Sequence, residues 1–150
     1  MLFRSEINME YIEDQYEEFA KKMEETYPLM FDSPYGGFAI GPGWWTIVEK
    51  LCFEIQSHIN WANSTREKLL KENPHNQIIP DPVTQVKVQQ IKEKFGGLRF
   101  YYDGGDQYIR GLTNFAEIWA ENTCDQCGCP GHKGGTGWIS TRCSIHRLKS

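Results

Sequence analysis

Residues 124–146 read CDQCGCPGHKGGTGWISTRCSIH, and the spacing inside this stretch decides how the C-terminal part of the chain folds. Six side chains here could ligate a metal: Cys124, Cys127, Cys129, His132, Cys143 and His146. A structural site takes four. Cys124-x2-Cys127 and Cys143-x2-His146 form two pairs separated by fifteen residues. The residues inside such a pair reverse the backbone so that both side chains meet one ion, and glycine directly after the second cysteine, here Gly128, suits that knuckle. Together the pairs give a closed Cys3His set, whose usual ion is Zn2+. Cys129 lies within the turn, where a second adjacent sulfur would crowd the knuckle. His132 lies on a Gly-rich loop. Neither is expected as a permanent ligand.

A reactive zinc needs an open coordination position and a general base. Glu121 and Asp125 are close only in sequence, and the His-x-Glu and Pro-Cys-x-x-Cys pattern of nucleobase deaminases is absent. No catalytic residue is expected. The tail holds few large aliphatics besides Ile139, Ile145 and Leu148, too few for a core of its own. Metal ligation can supply ~10 kcal/mol or more to such a segment. Trp138 is expected to cover the site or tie it to the body.

Working outward, residues 86–102 change to a strand period. Val86 and Val88 alternate with polar residues, Ile91 and Phe95 follow, and Gly96-Gly97 precedes Leu98, Phe100 and Tyr102: strand, Gly-Gly turn, strand. Asp106 then caps a helix whose apolar side is Ile109, Leu112, Phe115, Ala116, Trp119 and Ala120. Upstream, Ile47, Val48, Leu51, Cys52, Ile55 and Ile59 form the buried stripe of a long helix, with Cys52 a core thiol. The Gly- and Pro-rich stretch 34–43 reads as a loop delivering Trp44 and Trp45 to that helix. Residues 9–27 form a further amphipathic helix, with Ile12, Tyr16, Phe19, Ala20, Met23 and Tyr27 on one face. Asn63-Ser64-Thr65 matches a glycosylation pattern that means little without a secretory signal.

The chain of 150 residues suits one domain. Within it, 1–32 is an acidic N-terminal helix, 41–122 an α+β body and 123–150 a zinc-binding module. The expected fold is α+β: three main helices, a small two- or three-stranded antiparallel sheet, and a C-terminal knuckle of the zinc-ribbon or treble-clef kind. Charge is uneven. Residues 1–32 carry nine Asp or Glu against Arg4, Lys21 and Lys22, a net of −6; the whole chain is −4, which leaves +2 for residues 33–150. That balance argues against bulk electrostatic binding of nucleic acid but permits a local basic strip. The start lacks the apolar core of a signal peptide and no run could span a bilayer, so a cytoplasmic location is expected, where clustered cysteines read as metal ligands.

Gly-Trp before a helix, KEKFGGLRFYYDG at 92–104, and the tail of CxxCG, GW and C..H together resemble a family of small uncharacterised proteins encoded by tailed phages and prophages. The similarity covers about residues 41–146. It implies origin and fold, and, for a phage protein in the host cytoplasm, a role in acting on host machinery or countering host defence. The family pattern often has a small residue at the position of Cys129, which supports Cys124, Cys127, Cys143 and His146 as the ligands.

The leading expectation is a non-catalytic, zinc-stabilised binding protein that engages a nucleic acid, a nucleotide or a host protein. The contact surface would be the hairpin and adjacent tail: Lys92, Lys94, Phe95, Arg99, Tyr101 and Tyr102, with Arg142 and Lys133. Alternation sets Leu98, Phe100 and Tyr102 on one face and Arg99 and Tyr101 on the other, so Lys92, Lys94, Arg99, Tyr101 and Arg142 are the candidate contacts. Two alternatives stand beside it. One is a protein–protein inhibitor acting through the acidic helix with Glu13, Glu17 and Glu24; the other is a zinc-dependent nuclease or hydrolase.

Overall fold

The computed structural model describes residues 4–73, 75 and 78–147, with side chains from residue 11 onward. Residues 1–3 and 148–150, the outer ends of the expected acidic arm and metal module, lie outside the described residues, and Leu148 with them. In chain order the elements are α1 (Arg4–Thr26), β1 (Phe38–Ala39), a 3-10 turn (Pro42–Trp44) running into α2 (Trp45–Glu72), β2 (Lys87–Lys94), β3 (Gly97–Asp103), α3 (Gln107–Ala120), β4 (His132–Gly134), β5 (Ser140–Arg142) and α4 (Ser144–Arg147). The fold is α+β, with three main helices and two small sheets.

Every residue of the expected α2 stripe is buried: Ile47, Val48, Leu51, Cys52, Ile55 and Ile59. Burial, reinforced by the charge of Glu49, pushes the Cys52 thiol far above its ordinary range, so it packs as an apolar side chain. β2 and β3 pair antiparallel, with Ile91 opposite Phe100 and Lys92 opposite Arg99. Val88 and Ile91 are both buried although three residues apart. A bulge between Val88 and Gln90 inserts the extra residue that returns Ile91 to the core face. The turn is Phe95-Gly96, one residue earlier than the Gly-Gly reading. Both have positive φ, 52° and 76°, as a two-residue type I′ hairpin requires. Phe95 is therefore exposed at the tip and not in the core.

The sheet has a third strand where a loop was expected. β1 runs parallel to β2, with Phe38 opposite Ile91, so the sheet is mixed and ordered β1-β2-β3. On the free edge of β3, burial raises the carboxyl of Glu117 of α3 above the ordinary range, while the charge of Arg99 draws it down. In α3 the apolar stripe is wider than its buried part. Ile109, Ala116 and Ala120 are buried, while Phe115 and Trp119 are exposed, contrary to the expected core side.

α1 belongs to the same core. Phe19 and Met23 are buried and the Phe19 ring stacks on Trp45 at 4.7 Å between centroids; Ile12 is exposed, so the buried stripe begins at Tyr16. Lys22 reaches Glu49 of α2 at 2.7 Å, and Glu24 accepts the Tyr35 hydroxyl, which leaves Glu13 and Glu17 solvated. After α2 the chain is held back onto the helix by Asn63. Its amide donates to the Val83 carbonyl at 3.0 Å and accepts from the Val83 N–H at 2.8 Å. The glycosylation-like Asn63 is thus a structural clamp. No helix among the described residues is long and apolar enough to cross a membrane.

Candidate metal centre

α3 ends at Ala120, and three residues later the chain enters the first knuckle. The Cys124 N–H donates to the Cys129 carbonyl at 2.7 Å and the Gly128 N–H to the Cys124 carbonyl at 3.0 Å, closing the turn. Gly128 has φ +81°, a left-handed conformation costly to any residue with a Cβ. β4 and β5 then form a short antiparallel hairpin, with His132 opposite Arg142. Cys143 directly precedes α4, and His146 lies within it. The second pair is therefore carried on a helical turn, where residues three apart share a face, and not on a second backbone reversal. Knuckle, hairpin and helix in that order make the module a treble clef.

The four expected ligands meet. One ligand atom from each of Cys124, Cys127, Cys143 and His146 lies within 4.8 Å of every other. Cys127 Sγ and Cys143 Sγ are 3.8 Å apart, Cys124 Sγ is 3.6 Å from His146 Nδ1, and Cys143 Sγ is 3.2 Å from the same nitrogen. Around a tetrahedral ion with sulfur bonds of ~2.3 Å and nitrogen bonds of ~2.0 Å, sulfurs stand about 3.8 Å apart and sulfur and nitrogen about 3.5 Å. The donor set fits a tetrahedral metal. Nδ1 is the ring nitrogen that faces the sulfurs.

Electrostatics agree. Burial opposes ionisation of Cys124, but backbone N–H groups of Cys143, Cys127 and Gln126 at its sulfur outweigh it and hold the thiol down to about 6. At Cys127 the Cys129 N–H favours the thiolate, yet desolvation and the neighbouring thiols of Cys129, Cys124 and Cys143 push it up to about 12. Thiols this close ionise together only with a cation among them. Cys129 is thus beside the site without belonging to the four. His132 is exposed on β4 and His75 is exposed after α2, both outside the cluster. The two acids that the sequence places nearest are already engaged: Glu121 by Lys133 at 2.8 Å, and the buried Asp125 by Arg142 at 3.4 Å.

The seat of the knuckle went unread in the sequence. Gly43 N–H donates to the Asp125 carbonyl at 2.9 Å, and the fully buried Trp44 indole donates to the Thr123 carbonyl at 2.8 Å. A Cβ on Gly43 would lie 2.1 Å from the Cys124 oxygen, and one on Gly41 2.1 Å from the Asp125 oxygen. These glycines permit contact between two backbones. On the far side, Asp125 N–H bonds the Thr141 carbonyl at 3.0 Å, and the buried Thr141 hydroxyl donates to the Gly96 carbonyl at the hairpin tip. Trp138 neither covers the cluster nor ties it down; it is 78% exposed.

Of the expected contact residues, Lys92, Lys94, Arg99 and Tyr101 share the outer face of β2–β3. Lys92 Nζ stands 5.6 Å from the centre of the Tyr101 ring, which is 42% exposed. Tyr102 is half-buried against the core. Lys133 is held by Glu121 at the end of α3 and Arg142 by Asp125 of the metal module, and Arg142 lines a cavity between that module and β1. No family model matches this chain, and neither the curated proteins nor the solved structures contain a match to it.

Proposed function

We propose that this chain is a non-catalytic binding protein, fixed by a structural Zn2+, whose open sheet face engages single-stranded nucleic acid. Three thiolates and an imidazole at tetrahedral spacing suit zinc, a borderline-soft ion with no redox chemistry, better than the oxygen-seeking Mg2+ or Ca2+. Four protein ligands leave no position for a reactant, so the metal scaffolds and does not react. The observation that carries the binding reading is the outer face of β2–β3. There Lys92 stands over the exposed Tyr101, and Arg99 and Lys94 continue the same face toward the hairpin tip, while the acidic excess of the chain sits on α1. A ring flanked by cations accepts stacked bases and their phosphates without reading sequence. Capture of a strand also accords with the action on host machinery, in the host cytoplasm, that the phage resemblance implies.

The test uses fluorescence anisotropy of a labelled oligodeoxythymidylate at low and moderate salt. Tyr101→Ala is expected to fold as the parent does and to bind roughly ten- to a hundredfold more weakly, the worth of one stacked base. Arg99→Ala should weaken binding and flatten its salt dependence. Parent-like affinity in both variants refutes the surface. A host protein captured with the same dependence on Tyr101, with no affinity for the strand, would put a protein in its place.

A further inference from the structure

Two aromatic side chains are placed at a cost, or without cover, that the fold does not explain. Phe95 occupies the first central position of the β2–β3 turn at φ +52°. Asn, Asp or Gly takes that conformation readily and a bulky side chain does not. The ring gains little packing in exchange, being 68% exposed. Strain kept where it contributes nothing to the core points to a use elsewhere. Trp138, in the β4–β5 connection, is the second.

Both rings line one groove of about 350 Å3, together with Glu93, Lys94, Gly137 and Ile139. Glu93 and Trp138 also form part of the wall of an adjoining cavity of about 400 Å3, where Arg142 is held in place by the buried Asp125. The two spaces therefore share a wall, with an indole on it and one cation on either side: Lys94 in the first, Arg142 in the second. One Glu93 oxygen accepts the Gly96 N–H at 2.6 Å. The other has no partner among the described contacts. Arg142 gives its Nε to Asp125, whereas Lys94 has no carboxylate partner among the described contacts and stands 5.7 Å from the centre of the Phe95 ring. The two spaces therefore offer single, separated cations and no cluster to draw in a polyanionic small molecule such as a triphosphate. What it fits is a planar ring with a single phosphate to each side.

We propose that this groove takes one unpaired nucleotide of a bound strand, its base stacked on Trp138 and Phe95 and its two flanking phosphates met by Lys94 and Arg142. The inference rests on the sheet face being a nucleic-acid surface, with which it is continuous through Lys94. It adds a second stacking position at the hairpin tip and gives Arg142 a role distinct from that of the sheet-face residues.

Phe95→Asn separates this use from a structural one. Asn suits the turn, so the variant should melt higher than the parent and yet bind the labelled oligodeoxythymidylate about tenfold more weakly. Trp138→Ala should melt as the parent does and lose affinity to a similar extent. The outcomes divide cleanly when Tyr101→Ala is measured beside them. Binding that falls in Tyr101→Ala but stays at parent level in Phe95→Asn and Trp138→Ala overturns the groove and leaves the sheet face standing. Loss of affinity in the groove variants alone supports the groove and removes the sheet face. A parent that binds no oligonucleotide sinks both.

Discussion

Gly43→Ala tests how firmly the metal module is built into the body. The added methyl would stand 2.1 Å from the Cys124 carbonyl oxygen and 2.7 Å from the Gly128 nitrogen, where ordinary contact begins near 3.4 Å. All these atoms are backbone, so no side chain can swing aside; the knuckle must retreat by more than an ångström. Retreat stretches the Gly43 N–H bond to Asp125 and the Trp44 indole bond to Thr123, now 2.9 and 2.8 Å. Overpacking costs about 1–3 kcal/mol and a strained buried hydrogen bond about 1 kcal/mol more. A total near 3 kcal/mol would lower Tm by roughly 6–12 °C in a chain of this size. The variant should also surrender zinc to a chromogenic chelator faster than the parent, because the Cys124 carbonyl is part of the turn that sets two ligands. Gly111→Ala is the control: that helical glycine has open space around it, so alanine there should stabilise by about 0.5–1 kcal/mol. If Gly43→Ala melts with the parent and holds zinc equally well, the knuckle is not seated on residues 41–44 as described.

Ligand identity can be checked by elemental analysis of freshly purified protein. Cys143→Ser should lose stoichiometric zinc and Cys129→Ser should keep it; loss in both would make Cys129 a ligand. The N-cap of α3 gives a pH dependence. Burial of Asp106 opposes its charge, but His58 at 2.8 Å and the Ile109 N–H at 3.0 Å outweigh it, so its carboxyl titrates below the ordinary range. A depressed carboxyl contributes stability that is complete above its unfolded pKa of about 3.9 and is lost as pH falls through the folded value. Asp106→Ala should cost about 1–2 kcal/mol at neutral pH and remove that acid-side loss, as denaturant melts at a series of pH values would read. An unchanged acid limb in the variant would assign the loss to other carboxylates.

Sequence periodicity recovered what repeats often enough to have a period. The α2 stripe runs over three turns and every member is buried; the Cys-x2-Cys and Cys-x2-His frame needs only spacing, and its four members meet. Other features have no local signature. β1 is two residues long, too short for alternation to show, and exists because Phe38 and Ala39 lie beside β2. The bulge at Gln89 hides a strand by breaking its alternation, and Gly96-Gly97 offers two registers for one turn. Glycine itself is ambiguous in sequence. Gly41, at φ −70°, needs no special backbone angle and marks instead the approach of a segment more than eighty residues away. In α3 the apolar stripe is broader than the partner surface on α2, so periodicity named Phe115 and Trp119 without revealing that the core ends before them.

The candidate metal cluster and the proposed contact surface are one mechanical unit. From Cys124 the connection runs through the Asp125 N–H to the Thr141 carbonyl, and from the Thr141 hydroxyl to the Gly96 carbonyl beside Phe95. The β4–β5 connection carrying Trp138 leaves β4 and returns as β5, and β5 ends directly before the candidate ligand Cys143. Without the ion, the tail has no core of its own to hold this arm against the hairpin tip, since Trp138, Ile139 and Ile145 are all exposed. α1, α2 and the β2–β3 pair have their own buried cluster and do not depend on it. Metal removal therefore divides the molecule along a definite line: the groove between Phe95 and Trp138 should open while the face around Tyr101 persists. A zinc-free chain that keeps native-like helical content would then retain the part of its affinity that Tyr101→Ala removes and lose the part that Trp138→Ala removes. That division follows from which contacts carry the tail.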